Sequence, residues 1–346
     1  MNILEQFGLN KDQSQLLFSF QRFLVYQDIL VEKKESVKQR KEEWLLLWEK
    51  GIEDLLSQSN TSLVKDEIEL IQISKNEVEK CEEVKIPLYL ILLESSLFVP
   101  YFQLEGWQSK FFEKVTIDDK ISAYNLKRIA NLLEIDEEFI ERYKKSFKKS
   151  VRSASKFFSK MLIGASLGAV LIAITAGIAL PFVAAAVAPA GLFGAAAINA
   201  GLAALGGGAV AAGGLGMAGG ITVVVGGGSI FGALSGMAMG AMLGNSAELA
   251  LREGAKLEVI MREIILYAQR DVRFAQEMIN GQYEVIKKLE GELAELKFNE
   301  EENKKQIKNL SKAIEYLRSI LKSSEQALVE SNISEGAEQD EEKTHS

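Results

Sequence analysis

Apolar residues recur at three- and four-residue intervals from the start of the chain. Leu16, Leu17, Phe20, Phe23 and Leu24 open the series, and this spacing predicts helices that bury one face. A charged stretch, Glu32 to Glu43, leads into Trp44-Leu45-Leu46-Leu47-Trp48. Ser57 to Ser62 reads as a loop and Ile68 to Glu83 as a polar helix. From Ile86 to Leu93 the chain is apolar almost throughout, with Pro87 placed where a first helical turn tolerates it. Asp118 heads a further helix through Ile129 and Leu133, and Asp136 is placed to cap the next, from Glu137 to about Lys149.

The far end of the chain has a different period. Ile286, Leu289, Leu293, Leu296, Ile307, Leu310, Ile314, Leu317 and Leu321 fit one heptad register, which Ile265, Val272 and Ile279 carry upstream. A seam sustained beyond four heptads predicts a coiled coil. Glu300 and Asn303 interrupt it, as a polar layer in one long helix or as the turn of a helical hairpin. The seam's counterpart is a protein partner, another copy, or residues 10–50 of the same chain. Ser331 to Ser346 is acidic and reads as a disordered tail.

Between these regions the pattern vanishes. Residues 161–247 contain no Lys, Arg, Asp, Glu or His, yet hold 21 of the 28 glycines. About 20 apolar residues in a helix cross a bilayer core, and Met161–Leu180, Phe182–Leu205 and Ile221–Gly244 each suffice. Two, three or four spans are all compatible with this run. Gly228, Gly232, Gly236, Gly240 and Gly244 repeat every fourth residue, and Gly164 and Gly168 form a matching pair. Such spacing clears one helix face of side chains, so that another helix can approach closely. It predicts either compact packing of one hairpin or a homo-oligomer. Gly214-Leu215-Gly216-Met217-Ala218-Gly219 matches GxGxxG, but no strand precedes it and the next acid is Glu248. A dinucleotide site is therefore not expected.

Immediately before the run, Arg142, Lys144, Lys145, Lys148, Lys149, Arg152, Lys156 and Lys160 occur without an acid. Phe147, Val151, Ala154 and Phe158 form an apolar stripe among them at helical spacing. The stretch reads as a basic amphipathic helix lying on an anionic leaflet, or as a solvated face marking the cytoplasmic end of a membrane helix.

Composition narrows the chemistry. Of 346 residues, 40 are Lys or Arg and 48 are Asp or Glu, a net charge of −8, which argues against nucleic acid as a partner. One cysteine, Cys81, cannot form an internal disulfide, and the one histidine, His345, lies in the polar tail. Neither a His-based catalytic triad nor a His/Cys zinc site can be assembled. No catalytic residue, metal site or cofactor is expected, and no enzyme. Met1 to Gln6 lacks the basic-then-apolar pattern of a cleavable signal.

Three resemblances add to this reading. Ile117-Asp118-Asp119-Lys120-Ile121-Ser122, with Leu126, Ile129-Ala130, Leu132-Leu133 and Ile135-Asp136, resembles the repeating unit of TerB-like helical domains. That resemblance implies a sensing or interaction module, in which Glu94, Asp118 and Asp119 either form an acidic metal site or cap helices. Ile174-Thr175-Ala176-Gly177-Ile178-Ala179-Leu180-Pro181 and the glycine-alanine helices after it are similar to the membrane segment of transmembrane-and-coiled-coil proteins. The plan of a hydrophobic hairpin between helical segments resembles α-helical pore-forming toxins of the cytolysin A type.

The expected fold is all-α. It comprises a helical domain at 1–141, a basic juxtamembrane helix at 142–160 and a glycine-rich transmembrane region of one or more helical hairpins at 161–247. A coiled-coil arm at 248–330 and the acidic tail at 331–346 complete it. The expected function is that of a multi-pass membrane protein with both soluble parts cytoplasmic. It would oligomerise through the glycine faces and permeabilise or remodel the bilayer. The alternatives are a constitutive scaffold that displays a coiled-coil arm, and a soluble toxin that inserts when triggered.

Overall fold

The computed structural model describes residues 9–56, 60–101, 111–112, 114–158 and 247–344. Every regular element among them is helical, as the apolar periodicity predicts. They divide into two compact units, 9–144 and 145–158 with 247–344. The expected glycine-rich membrane region and its packing residues Gly164, Gly168, Gly228, Gly232, Gly236, Gly240 and Gly244 lie outside the described residues.

In the first unit α1 (Lys11–Val31) begins with a complete capping box. Asn10 accepts from the Gln13 backbone N–H, and the Gln13 side chain accepts from the Asn10 N–H. Next come α2 (Glu35–Leu56), α3 (Glu67–Lys80), α4 (Ile86–Ser96), α5 (Asp119–Leu132) and the start of α6 (Glu138–Phe158). α1 packs against α2, α3, α4 and α5. α4 is buried nearly all round, with Leu88, Leu90, Ile91, Leu92 and Leu93 at 1% exposure or less, as suits a helix with no polar face. Trp44 and Trp48 stack at 6.0 Å, and Tyr101 meets Trp44 edge-on at 5.3 Å. α5 ends in a Schellman turn: Ile135 N–H donates to the Ala130 carbonyl and Glu134 N–H to that of Asn131. Glu134 stands at φ 53°, in the left-handed position that usually takes glycine.

The polar centre of this unit is an ion pair. Asp28 on α1 is fully buried, and its Oδ2 accepts from Lys41 Nζ at 2.7 Å and from the Tyr101 hydroxyl at 2.6 Å. Its Oδ1 accepts from the Asp118 backbone N–H at 2.7 Å. Lys41 also reaches Glu32 at 3.1 Å. Both carboxylate oxygens are thus occupied, the condition for tolerating a buried charge. Burial, and then the neighbouring Asp28, push the Tyr101 phenol far above its usual range.

The second unit holds the rest of α6, α7 (Ala247–Val259), α8 (Val272–Leu296) and α9 (Glu300–Thr344). α7 passes into a nine-residue π-helix, Ile260–Ala268. Glu263, Ile264, Ile265 and Leu266 are consecutive and all buried, more than the stripe of one α-helix covers. The helical arm is interrupted at two places. Arg270 turns left-handed at φ 50° and Asp271 caps α8 through the Phe274 N–H, so the seam does not run unbroken from Ile265. Lys297–Asn299 form a 3-10 turn, and the Asn303 side chain donates to the Leu296 carbonyl. Of the two readings of Glu300 and Asn303, the hairpin turn is the one observed.

Ile286, Leu289, Leu310, Ile314, Leu317 and Leu321 are buried between the helices, whereas Leu293, Leu296 and Ile307, near the turn, are half-buried. The flanking positions explain this gradient. Val285, Ala313 and Ile320 are buried beside the seam, but towards the turn that role passes to Glu292 and Gln306. A third helix is thus accommodated along most of the hairpin and refused at its tip. A final correction concerns the tail: α9 continues to Thr344, through residues whose composition predicts disorder.

Candidate functional site

The junction that the sequence singles out is the second half of α6. Its apolar stripe faces protein, since Phe147 is 1% exposed and Val151 2%. The expectation that this stripe lies on a leaflet is corrected for these two residues. The opposite face carries Lys145, Lys148, Lys149 and Arg152, all exposed, while Lys144 is half-buried and lies 3.8 Å from Glu141. Lys156 lies on α6, and Lys160 is outside the described residues.

Within the second unit, the latter half of α6 is held by serine–glutamate hydrogen bonds. The Ser146 hydroxyl donates to Glu263 and the Ser150 hydroxyl to Glu258 Oε2 at 2.6 Å. The other oxygen of Glu258 accepts from the Ser323 hydroxyl at 2.7 Å. Arg262 donates to Ser323 and lies 3.5 Å from Glu258 and 3.6 Å from Glu330. This polar seam had no sequence signature, because serines at 146, 150 and 323 are ordinary surface residues until the helices are aligned.

The same contacts set helix directions. Ser150 pairs with Glu258 on α7 and Ser146 with Glu263 on the π-helix that continues it, so α6 runs antiparallel to both. Tyr316 donates to the Leu251 carbonyl at 3.4 Å and Ser323 donates to Glu258, so α7 and α9 run parallel. Gly254 makes that pairing possible, because a Cβ there would overlap the Tyr316 ring. Tyr316 is 1% exposed, and burial is the main cause that pushes its phenol well above the usual range. The C-terminal end of α6 and the N-terminal end of α7 therefore leave the unit at the same end, and residues 159–246 connect them.

Elsewhere, Asp118 accepts from the backbone N–H groups of Lys120 and Ile121, and these hold its carboxyl below the usual range. This is the capping role rather than a ligand role. Glu94 is buried on α4. Among the described residues no group of three His, Cys, Asp or Glu is placed to hold a metal. A half-open cavity of about 250 Å³ lies among α1, α3 and α5, lined by Phe23, Leu70, Ile71, Leu132 and Asn131. The ion-paired Arg128 and Glu67 stand at its rim, with the guanidinium 5.0 Å from the Phe23 ring. Among the described residues no helix is long and apolar enough to cross a membrane. Compared with protein families, with curated proteins and with solved structures, the chain matches none.

Proposed function

We propose that the chain is a membrane-inserting helical effector whose uncharged run, 161–247, enters a bilayer. Copies then associate through the glycine faces and permeabilise or remodel it. The observation that carries this reading is the 87-residue stretch without an ionisable side chain, with five glycines in unbroken four-residue register. The antiparallel placement of α6 and α7 supports it, because a segment that leaves and returns at one end crosses an even number of times. The bases nearest the run in sequence, Lys156 and Lys160, are the kind of flank that keeps its end of a span cytoplasmic. The N-terminal unit senses or restrains; sensing is among the roles that the TerB-like resemblance implies.

Expression in cells bathed in a membrane-impermeant dye tests this. Dye entry is expected, and Gly236→Leu with Gly240→Leu should abolish it. Leakage unchanged by those substitutions overturns the glycine-face mechanism. Alkaline extraction separates an inserted protein, which stays with the membrane, from a toxin awaiting a trigger, which is released. A second reading, a constitutive scaffold, is favoured by the exposed tip of the α8–α9 hairpin, and it requires that no dye enter.

A further inference from the structure

The cavity among α1, α3 and α5 lies within the N-terminal unit and plays no part in the membrane reading. Its wall is apolar: Phe23 from α1, Leu70 and Ile71 from α3, and Leu132 from α5. Its volume is about 250 Å³. A cavity of roughly 150 Å³ holds benzene, so by proportion this one takes about ten carbon-sized atoms. Sites for drug-sized molecules run from roughly 300 to 1,000 Å³, and this cavity is too small to enclose a nucleotide, a sterol or a whole lipid. A nucleotide base would also leave most of its polar edge unpaired against such a wall.

Two charges line the cavity, and they differ in how firmly they are held. The Arg128 guanidinium stands over the Phe23 ring at 5.0 Å, and its Nη1 donates to Asn125 Oδ1 at 3.2 Å. Asn125 is itself buried and donates to the Ile121 carbonyl at 2.9 Å, so the support under Arg128 is rigid. The Arg128 Nη2 donates to Glu67. Glu67 sits in the first turn of α3 with its side chain 46% exposed. An exposed ion pair does little to hold it, and water and the positive end of α3 stabilise its carboxylate once it lets go. Of the charges next to these in sequence, Asp66 caps the Ile68 and Glu69 N–H groups, and Lys127 pairs with Glu137 at 2.8 Å. Glu69, two residues on from Glu67, does not share its face of α3. A ligand that displaces Glu67 therefore meets a fixed cation beside an apolar pocket.

We infer that this cavity binds a small amphipathic carboxylate, its apolar body against Phe23, Leu70, Ile71 and Leu132 and its head on Arg128 in place of Glu67. A carboxylate suits the guanidinium edge in both shape and charge. The Asn131 amide, also on the cavity, offers a second donor. Each methylene that leaves water strengthens binding about fourfold. A straight chain therefore gains affinity with length until the cavity is full, at about eight to ten carbons. Such a site gives the N-terminal unit something to sense, and it stands whether or not residues 161–247 enter a bilayer.

The test is calorimetric titration of the full chain, in phosphatidylcholine nanodiscs or, where alkaline extraction releases it, in plain buffer. Straight-chain carboxylates from butanoate to dodecanoate are added at about pH 7, with empty nanodiscs as the blank. One carboxylate should bind per chain, tightening about fourfold per methylene up to about eight to ten carbons and levelling off beyond. Glu67→Gln removes the competing anion and should tighten octanoate several-fold. Arg128→Gln should weaken octanoate about tenfold or more and leave the uncharged octanol little changed. Leu132→Phe fills the cavity and should abolish binding of both, with unchanged helical circular dichroism to show that the chain still folds. The absence of saturable binding overturns the inference. So does affinity that keeps climbing to dodecanoate, the mark of partition into lipid. Weaker octanoate binding in Glu67→Gln, with octylamine bound more tightly than octanoate by the parent chain, marks a cation site and overturns it as well. Dye entry reports the membrane reading separately, so either can fail alone.

Discussion

The two units solve the problem of an interior polar group in opposite ways. In the N-terminal unit one carboxylate, Asp28, gathers an ammonium, a phenol and a backbone N–H from positions 41, 101 and 118. In the C-terminal unit Glu258 and Glu263 collect serine hydroxyls from helices running alongside. The first arrangement ties together segments 90 residues apart and so specifies a tertiary fold. The second sets how far one helix slides along another. A buried charge with several fixed partners leaves no inexpensive alternative, whereas a glutamate–serine bond can be exchanged for water with little loss.

Asp28→Ala should therefore be the most damaging substitution. It strands the Tyr101 hydroxyl and the Asp118 N–H and leaves the buried Lys41 ammonium with Glu32 alone, and breaking a buried pair from one side costs about 3–5 kcal/mol. The three tryptophans, Trp44, Trp48 and Trp107, all precede residue 145, so tryptophan fluorescence reads the N-terminal unit alone. Its urea midpoint should fall sharply while the helical circular dichroism of the C-terminal unit is retained. A simultaneous loss of both signals would mean that the units unfold together.

Gly254→Ala is the converse. The added methyl group overlaps the fully buried Tyr316 ring, and overpacking of this kind costs about 1–3 kcal/mol. The circular dichroism transition should shift and the fluorescence transition should not. Tyr316→Leu in the same chain frees the space, and should recover part of the loss if the ring is the obstacle.

These two sites also mark how far the sequence could be read. Helix positions were legible wherever a local signal existed: the apolar spacing of α1, the caps Asp118 and Asp136, and Pro87 at the head of α4. The heptads of α8 and α9 gave the seam, and Glu300 with Asn303 pointed to the turn as one of two readings. The break at Arg270 was illegible, because a left-handed residue without glycine or proline leaves no mark in composition. The Asp28 cluster was hidden for another reason: its members are ordinary charged or aromatic residues until the chain folds back on itself. The basic character of α6 was plain, but which side of the stripe met protein was decided by Glu258 and Glu263, more than 100 residues away.

A smaller effect, of opposite sign, is expected at Glu134. A side chain in the left-handed region costs about 1 kcal/mol relative to glycine. Glu134→Gly keeps the Schellman turn and removes that strain, so the fluorescence midpoint should rise. An unchanged or lowered midpoint would mean that glycine's extra freedom in the unfolded chain cancels the gain.

The smallest expected effect is a dependence on acid, confined to the N-terminal unit's signal. The Lys34 backbone N–H, and then the Lys41 ammonium, hold the Glu32 carboxyl below its ordinary range. The Ile121 N–H, and then that of Lys120, do the same for Asp118. A carboxyl lowered in the folded state binds its proton less readily than in the unfolded chain. The stabilisation is therefore complete above the ordinary carboxylate range, near pH 4, and fades as the pH falls through the lowered folded values. The fluorescence midpoint should stay flat from about pH 7 to 5 and decline below about pH 4. Asp118→Asn keeps an N-cap oxygen while removing the titration, so it should flatten the decline without abolishing the helix. Glu32→Gln should flatten it further, because it removes the second carboxyl that folding holds low. A decline of unchanged steepness in the double variant would place the acid sensitivity at other groups and leave these caps as neutral geometry.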